Sequence, residues 1–438
     1  FLYDGDRITW LAPPGKDFPA GDVYRRVVGV SDDGTVLGIT GTGPSPSSHG
    51  VAWRFQKGSY TRLGLTDAKY HAPDGRLSSA AIGISPSGVI VGYSRVWSKD
   101  RGPAESPGVR DGDGFWRGGA AWILDGETYR ELTPPEATHA GVPYVFPEQI
   151  FPAGEVHLRT LTAHYLFANG KFTRIGPPST LSTGVVIHAW SPDLKACAGV
   201  SIDATAEPPR SSGWAFAEGR TTTVGLTDSR HSGNGQPRPS TIKSVWPDGS
   251  VVGFTPRGSV GGDASPWLAK AGQTQLLGLQ DAAHQTAKGP VSAFSDMVDG
   301  RWIAGRSLKN TPATDATFST GWLYDAKSRK TTAIIHGTKP PRGPKWSTLP
   351  AALLADGTVL LSWSDETATP ASPGVAAWRP GQPDIPLTIT IPSRPGAAID
   401  ALGPVLRLAP DGSRLLAMLE GSTPEGKLSG WWILERQP

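Results

Sequence analysis

The chain has 438 residues, of which 55 are glycine, 41 proline and 16 tryptophan, and this composition excludes a long helical protein and a disordered one. The formal net charge is +3, from 42 basic and 39 acidic residues, so the basic balance is too weak and dispersed to favour nucleic acid. No apolar run is long enough to predict a membrane span. Cys197 is the only cysteine, which excludes an internal disulfide and a cysteine-based zinc site and predicts a buried thiol.

A repeated pattern runs along the chain, and its first copy contains every part. An apolar run at 27–31 leads into a tight turn at Asp33-Gly34 and a second run at 35–38. A loop, a strand carrying Trp53 and a last strand at 60–64 follow. Each copy therefore predicts four short strands, which is the pattern of a propeller blade.

Two markers of this repeat recur in step. The first turn recurs at a mean spacing of about 54 residues, at Asp33-Gly34, Ser87-Gly88, Ala153-Gly154, Asp193-Leu194, Asp248-Gly249, Asp299-Gly300, Asp356-Gly357 and Asp411-Gly412. The tryptophan strand follows at Trp53, Trp122, Trp214, Trp267, Trp322, Trp378 and Trp432, with Tyr165-Leu166 in the third copy. Most of the turns are Asp-Gly, a strong hairpin signal.

The predicted fold is an all-β propeller of four-stranded blades in a single domain spanning 1–438. Eight blades are predicted, and seven if the third unit is an insertion. The last unit, 401–438, lacks a fourth strand, and residues 7–11 read as that strand. We therefore predict that the two termini share one blade, which closes the ring and removes an exposed edge.

One face of this propeller is predicted to be plain and the other elaborated, because the first and third turns of each unit are short while the other loops are long. An acid-x-x-His motif marks the long loops. It occurs at 67–71, 228–231, 281–284 and, with glutamate, at 136–139. The imidazoles either surround a pore mouth as acid/base or sugar-binding groups, or staple the loop to its own backbone.

An insertion over 95–117 is the longest loop between second and third strands. Exposed aromatic residues beside arginine stack on sugars or on a protein partner, unless the loop buries them against itself. Asp111 and Asp113 resemble the start of a calcium loop, but no glutamate follows at the required spacing. We therefore expect no cofactor, with calcium as the one metal considered.

Two stretches, 84–92 and 245–253, carry an apolar-x-x-x-Gly-x-Val-Val-Gly type of pattern. In this they resemble the HAF-type extracellular repeat proteins, although Ala-Trp or Gly-Trp replaces the His-Ala-Phe element. The resemblance implies a secreted, propeller-like protein, with a leader absent from this numbering, and it implies no catalytic residues.

Two functions remain open. The first is a lyase acting on a uronate-containing extracellular polysaccharide, which needs a base for the C5 proton and a cation for the carboxylate. Its candidate residues are Tyr70, His71, His139 and Tyr144 as bases, and Arg95 and Arg117 as neutralisers. The alternative is a non-catalytic lectin-like or protein-docking propeller. Its candidate ligand-binding residues are Trp97, Phe115, Trp116, Arg230, His231 and His284.

Overall fold

The computed structural model describes residues 2–4, 7–9, 11, 23–42, 50–99, 109–111, 114–139, 141–177, 183–207, 210–228, 231–233, 236–238, 240–256, 264–286, 289–298, 300–309, 318–335, 346–365, 372–382, 385–387, 396–407, 414–424 and 426–435.

Antiparallel sheets that follow one another along the chain make up the described residues, so the protein is all-β as predicted. Among the described residues, Ala68–Tyr70 and Ala282–His284 form single-turn 3-10 helices in loops between sheets. Residue contacts divide the chain into two compact units, Phe1–Gly184 and Val185–Pro438. Within the described ranges, no helix has the length and apolar character needed to cross a bilayer.

The first unit contains three sheets, numbered 1 to 3 in chain order. Sheet 1 consists of Val23–Val30, Val36–Thr42, Gly50–Gln56 and Ser59–Leu63. Sheet 2 consists of Ser79–Ile84, Ile90–Ser98, Gly114–Asp125 and Thr128–Glu131, with Val109–Asp111 paired to the third strand. Sheet 3 consists of Phe146–Ile150, Val156–Arg159, His164–Ala168 and Lys171–Ile175. Two small hairpins pair Leu2–Asp4 with Arg7–Thr9 and Thr138–His139 with Val142–Pro143.

Sheets 4 to 8 follow. Sheet 4 consists of Thr183–Trp190, Ala196–Asp203, Arg210–Ala217 and Arg220–Val224. Sheet 5 consists of Thr241–Val245, Val251–Pro256, Ala264–Lys270 and Gln273–Leu276, and sheet 6 of Ser292–Val298, Trp302–Leu308, Ser319–Asp325 and Lys330–Ala333. Sheet 7 consists of Trp346–Leu353, Val359–Asp365, Ser372–Trp378 and Ile385–Pro386, and sheet 8 of Ala398–Arg407, Arg414–Thr423 and Gly426–Glu435. Two small hairpins pair Ser232–Gly233 with Gln236–Pro237 and Gln285–Thr286 with Gly289–Pro290.

In sheets 1, 2, 3, 5 and 7 the first turn is a three-residue loop that ends in a left-handed glycine. In sheet 4 the loop is one residue longer, and Leu194 is the left-handed residue, with a φ of 58°. In sheet 1, Gly34 N donates to Ser31 O at 3.0 Å and has a φ of 79°. The Asp33 carboxylate accepts from Thr35 N at 3.0 Å, and the hydroxyl of Ser31 is the main cause that lowers its pKa to about 2. The predicted Asp-Gly turns are thus present, but the loop belongs to the type that ends in a glycine bulge. Asp299 and the Asp411-Gly412 turn lie outside the described residues.

Tryptophan of the third strand packs over a glycine of the second strand. In sheet 5, Trp267 lies opposite Gly253, and a Cβ added to that glycine would meet the indole ring at 2.5 Å. The same pairing joins Gly38 to Trp53, Gly92 to Trp122, Gly199 to Trp214 and Gly305 to Trp322. In sheet 3, Leu158 takes the glycine position and Tyr165 takes the tryptophan position. The leucine side chain fills the space that the tyrosine ring, smaller than an indole, leaves.

Neighbouring sheets within each unit pack face to face. One buried cluster joins sheets 1 and 2, and it contains Leu37, Ile39, Ala52, Leu63, Ala80, Ala81, Ile90, Trp122 and Leu124. Similar clusters join sheets 2 and 3, and each pair of neighbours from sheet 4 to sheet 8. Cys197 is buried as predicted, and burial raises the pKa of its thiol to about 12. Closure by residues 7–11 stays a prediction, since Arg7–Thr9 pairs with Leu2–Asp4.

Candidate functional site

In two of its four copies, the acid-x-x-His motif forms a hydrogen bond between the aspartate and the imidazole that anchors the loop. We call this anchor the staple. Asp281 Oδ1 lies 2.7 Å from His284 Nδ1, and His284 Nε2 lies 2.9 Å from the hydroxyl of Thr320 in sheet 6. Asp228 Oδ1 lies 2.9 Å from His231 Nδ1. Both imidazoles are buried, at 6% and 1% exposure. Each therefore packs a loop onto the protein instead of facing solvent.

Tyr70 occupies the histidine position of this staple in the first copy. Its backbone N donates to Asp67 O at 2.9 Å, as His231 and His284 do to their own aspartates. The phenol is fully buried and donates to Glu131 Oε2 at 3.2 Å, and burial together with that carboxylate raises its pKa. His71, one residue later, is half-buried and contacts the carbonyl of Asp67 through Nδ1 at 3.2 Å.

The glutamate copy of the motif follows a different course. Glu136 has a φ of 62°, and its carboxylate accepts from Tyr165 and Arg174 of sheet 3 and from Thr162 in a turn of that sheet. His139 is half-buried in the small hairpin Thr138–His139 with Val142–Pro143. The four copies thus do not share one geometry, and the first also differs in spacing, with four residues from Asp67 to His71 instead of three.

Half-buried aromatic rings meet where sheet 2 faces sheet 3. Tyr93 and Arg95 alternate along the second strand of sheet 2, so both side chains leave the same face. Phe146 opens the first strand of sheet 3, and its ring lies 5.1 Å from that of Tyr93 at 75°. The ring of Tyr144 also contacts that of Phe146, at 5.0 Å and 83°. Both contacts are edge-to-face, the arrangement that aromatic quadrupoles favour.

Glycine in the third strand of sheet 2 makes this convergence sterically feasible. A Cβ added to Gly119 would overlap the ring of Phe146. Gly119 also bridges to Tyr144, and its carbonyl accepts from Val145 N at 2.7 Å. A bulge between Arg117 and Ala120 brings this stretch toward sheet 3.

Arginine side chains lie over two of the three rings. The guanidinium of Arg95 lies over the Tyr93 ring at 5.9 Å, and that of Arg159 lies over Phe146 at 5.8 Å. Arg159 Nε also pairs with Glu148 at 2.6 Å. We call the set Tyr93, Arg95, Tyr144, Phe146 and Arg159 the aromatic–arginine cluster. Its rings can pack on the apolar faces of sugars, and its guanidinium groups can bind carboxylates.

The stretch 95–117, predicted as a loop, is strand at both ends, with Trp97 in Ile90–Ser98 and Phe115 and Trp116 in Gly114–Asp125. Trp97 lies two residues after Arg95 on the same strand face, and its ring contacts Trp116 edge-to-face at 5.3 Å. Trp116 is buried at 1% exposure, whereas Trp97, Phe115 and Arg117 are half-buried. Arg117 donates weakly to Ser98 Oγ at 3.5 Å. Trp97 is thus better placed than Trp116 to extend a contact surface.

The remaining predicted residues lie elsewhere. His231 and His284 belong to loops of the second unit, and Arg230 lies outside the described residues. Asp111 ends the strand Val109–Asp111, and Asp113 falls outside the described residues, so the calcium hypothesis stays a prediction. Across the described ranges, no group of three or more histidine, cysteine or acidic residues could hold a metal ion.

Sequence reasoning identified Arg95 and Tyr144 but missed Tyr93, Phe146 and Arg159. These three residues follow no recognisable motif, and only the packing of sheet 2 on sheet 3 brings them together. One usable signal was the alternation of Tyr93, Arg95 and Trp97, which predicts a single strand face rich in aromatic and basic groups.

No protein-family model and no curated protein matches the chain. Solved structures similar to it include the β-propeller domain of the Trilobed protease from Pyrococcus furiosus, 12% identical over 80% of this chain and 91% of that one, with a TM-score of 0.28. A puromycin-hydrolysing peptidase of Mycobacterium tuberculosis is 12% identical over 94% of this chain and 51% of its own, with a TM-score of 0.32. A structure of the eukaryotic initiation factor is 11% identical over 97% and 90%, with a TM-score of 0.38. With TM-scores this low, the function has to rest on this chain's own residues.

Proposed function

We propose that this protein is a secreted, eight-bladed β-propeller that binds an acidic extracellular polysaccharide at the aromatic–arginine cluster. The observation that carries the proposal is the row of three edge-to-face rings, Tyr93, Phe146 and Tyr144, with a guanidinium over the ring at two places. Sugar rings present apolar faces that pack on such aromatic side chains, while uronate carboxylates accept hydrogen bonds from arginine.

Arg95 is the main carboxylate anchor in this proposal. Arg159 is already paired with Glu148. Within the described part of the chain, no carboxylate pairs with the Arg95 side chain, which is half-buried over Tyr93. Its guanidinium is thus partly ordered by the ring before any ligand arrives, so less side-chain entropy is lost on binding.

Isothermal titration calorimetry with oligogalacturonate, and with a neutral glucan oligosaccharide as reference, tests this proposal. We expect the acidic oligosaccharide to bind and Arg95→Ala to weaken that binding about tenfold, the effect of losing one charge-assisted hydrogen bond. Arg62→Ala is the matched control, because Arg62 is an exposed arginine of sheet 1. Equal weakening by both variants, or equal binding of the neutral glucan, would contradict a specific site.

A lyase is the second candidate, because the cluster holds Tyr144 and Arg95 together through Phe146 and Tyr93. In that reaction a phenolate takes the C5 proton, and the guanidinium stabilises the charge that develops on the uronate carboxylate. The electron pair of the C5–H bond then forms the C4–C5 double bond, the C4–O glycosidic bond breaks, and the leaving oxygen takes a proton. Ultraviolet absorbance of new unsaturated ends detects the product. Turnover that Tyr144→Phe abolishes, with oligosaccharide binding retained, supports the lyase. Binding without turnover in the unmodified protein leaves the non-catalytic module.

A further inference from the structure

A cleft lies between sheets 5 and 6, at the end of the second unit where the short turns lie. Its volume is about 590 Å³, which falls within the usual range for small-molecule sites. Sequence analysis predicted this end to be plain, because its turns are short. We propose that the cleft binds a sugar carrying a phosphate or sulfate ester.

The lining of the cleft is polar and basic. Its floor includes Trp246 and Tyr324, each with 1% exposure, and the phenol of Tyr324 donates to Gln275 Oε1 at 3.2 Å. Ser250 and Thr274 add hydroxyl groups at the walls. Trp246 Nε1 is buried and finds no hydrogen-bond acceptor within the described residues. Polar groups of this kind match sugar hydroxyls better than an apolar ligand.

Four basic side chains surround these groups, namely Lys270, Arg301, Lys327 and Arg329, against one carboxylate in the lining, that of Asp248. Asp248 Oδ2 pairs with Lys270 Nζ at 2.5 Å, and Arg301 Nε lies 4.0 Å from Asp325 Oδ1. In the described ranges, no carboxylate pairs with the side chains of Lys327 and Arg329. The ammonium of Lys327 and the guanidinium of Arg329 are therefore available to bind an anionic ligand.

Lys327 and Arg329 lie in a turn that is longer than the equivalent turns of sheets 1, 3, 4 and 5. In sheets 1, 3, 4 and 5 the last hairpin is a two-residue turn with positive φ at both residues, as at Ala271-Gly272 with 49° and 78°. Sheet 6 instead pairs Asp325 with Lys330, so its loop is 326–329. Asp325 Oδ1 accepts from Lys327 N at 3.0 Å, and Oδ2 accepts from Ser328 Oγ at 3.0 Å, which orders the longer turn.

A tetrahedral oxyanion fits this arrangement better than a planar carboxylate. Its three terminal oxygens can accept from several directions at once, and Lys327 and Arg329 offer an ammonium and a guanidinium from one ordered turn. Phosphate and sulfate esters both carry a tetrahedral oxyanion, and the titration below distinguishes between them. This site and the aromatic–arginine cluster belong to different units and rest on different residues.

Calorimetric titration with glucose 6-phosphate, glucose 6-sulfate and glucose tests the proposal. We expect at least one ester to bind, glucose to bind at least about tenfold more weakly, and the double variant Lys327→Gln/Arg329→Gln to lose about tenfold or more in affinity for the ester. Both residues are exposed, so the variant should fold. The charge-matched control is Lys57→Gln/Arg220→Gln, in which two exposed cations near the short hairpins of sheets 1 and 4 are removed.

Tighter binding of glucose 6-phosphate or of glucose 6-sulfate identifies which ester the cleft prefers. Either preference supports the site. The proposal is overturned if neither ester binds at about 10 mM, or if the two double variants bind the ester equally well. Thermal unfolding of each variant confirms that the comparison concerns folded protein.

Discussion

The hydroxyl of Thr255 joins two strands of sheet 5 to the loop before it. Thr255 is fully buried, and its Oγ1 accepts from Trp267 Nε1 at 2.9 Å and from Leu226 N at 3.3 Å. Ser94 has the same role in sheet 2, accepting from Trp122 Nε1 at 3.1 Å and Leu65 N at 2.9 Å. A hydroxyl two residues after the glycine under tryptophan is therefore a structural part of the repeat.

Thr255→Val should destabilise the protein by about 2 to 4 kcal/mol, because it leaves the buried indole N–H of Trp267 and the partly buried Leu226 N–H without their acceptor. The shape of the side chain is nearly unchanged, so packing contributes little. Urea unfolding followed by tryptophan fluorescence measures the shift, with Thr255→Ser as the control that keeps the hydroxyl. Equal midpoints for the valine and serine variants would show that the hydroxyl has no such role.

A buried histidine pair in sheet 3 is a second residue-scale feature. His157 Nε2 lies 2.9 Å from His164 Nδ1, with exposures of 5% and 2%. One proton between these nitrogens makes a hydrogen bond, whereas two protons would repel. Burial and the neighbouring His164 lower the pKa of His157 from 6.5 to about 3.

Stability should therefore fall as the pH decreases from about 6.5 toward about 3, because the unfolded chain takes up a proton that the folded protein excludes. Above this window both states are neutral at His157, and the contribution is fully present. Urea midpoints between about pH 7.5 and about pH 4.5 measure the slope. His157→Gln should flatten it, whereas His188→Gln, at an exposed histidine, should not. An unchanged slope in the His157 variant contradicts the assignment.

At the scale of elements, the loops between sheets are fixed by a staple whose chemistry varies. His284 links Asp281 to Thr320, while Tyr70 holds the equivalent position and bonds to Glu131. The sequence predicts both Tyr70 and His71 as candidate bases and does not distinguish which of them holds the loop. Backbone geometry assigns that position to Tyr70, because the 3-10 turn places the third residue after aspartate inward.

His284→Ala should cost about 2 kcal/mol of stability, because it removes two side-chain hydrogen bonds from a buried group. His71→Ala should change stability by less than about 0.5 kcal/mol, since that imidazole is partly exposed and contacts a backbone carbonyl at 3.2 Å. Thermal unfolding midpoints compare the two variants. A larger loss for His71→Ala would reverse the assignment of the staple.

The sequence predicted the strands and turns correctly, but it did not predict which residues of different sheets come together. Turn glycines and alternating strands predicted the sheets correctly, because Gly34 and its equivalents need a left-handed backbone. Phe146 could not be identified in this way, since its neighbours Tyr93 and Gly119 come from another sheet. The cleft at sheet 6 was missed because loop 326–329 was treated as one more short turn.

At the scale of the whole molecule, charge is nearly balanced, with a formal net charge of +3. Attraction of an acidic polysaccharide must then come from local groups such as Arg95, and the net field contributes little. Raising the salt concentration from about 0.05 M to about 0.5 M should weaken oligogalacturonate binding by less than about tenfold, because aromatic packing is not screened. A much steeper salt dependence in the titration would indicate general charge attraction instead of a site.

Hydrogen–deuterium exchange with and without oligogalacturonate tests the central claim most directly, because it locates the ligand on the chain. The aromatic–arginine cluster predicts slower exchange in peptides covering 90–98, 114–119 and 142–150. Peptides of sheets 5 and 6, at 264–277 and 319–333, should be unaffected by this ligand. Protection found only in the peptides of sheets 5 and 6 would contradict the assignment of the polysaccharide site. Unchanged exchange in 90–98 and 142–150 when the ligand is bound would contradict it as well.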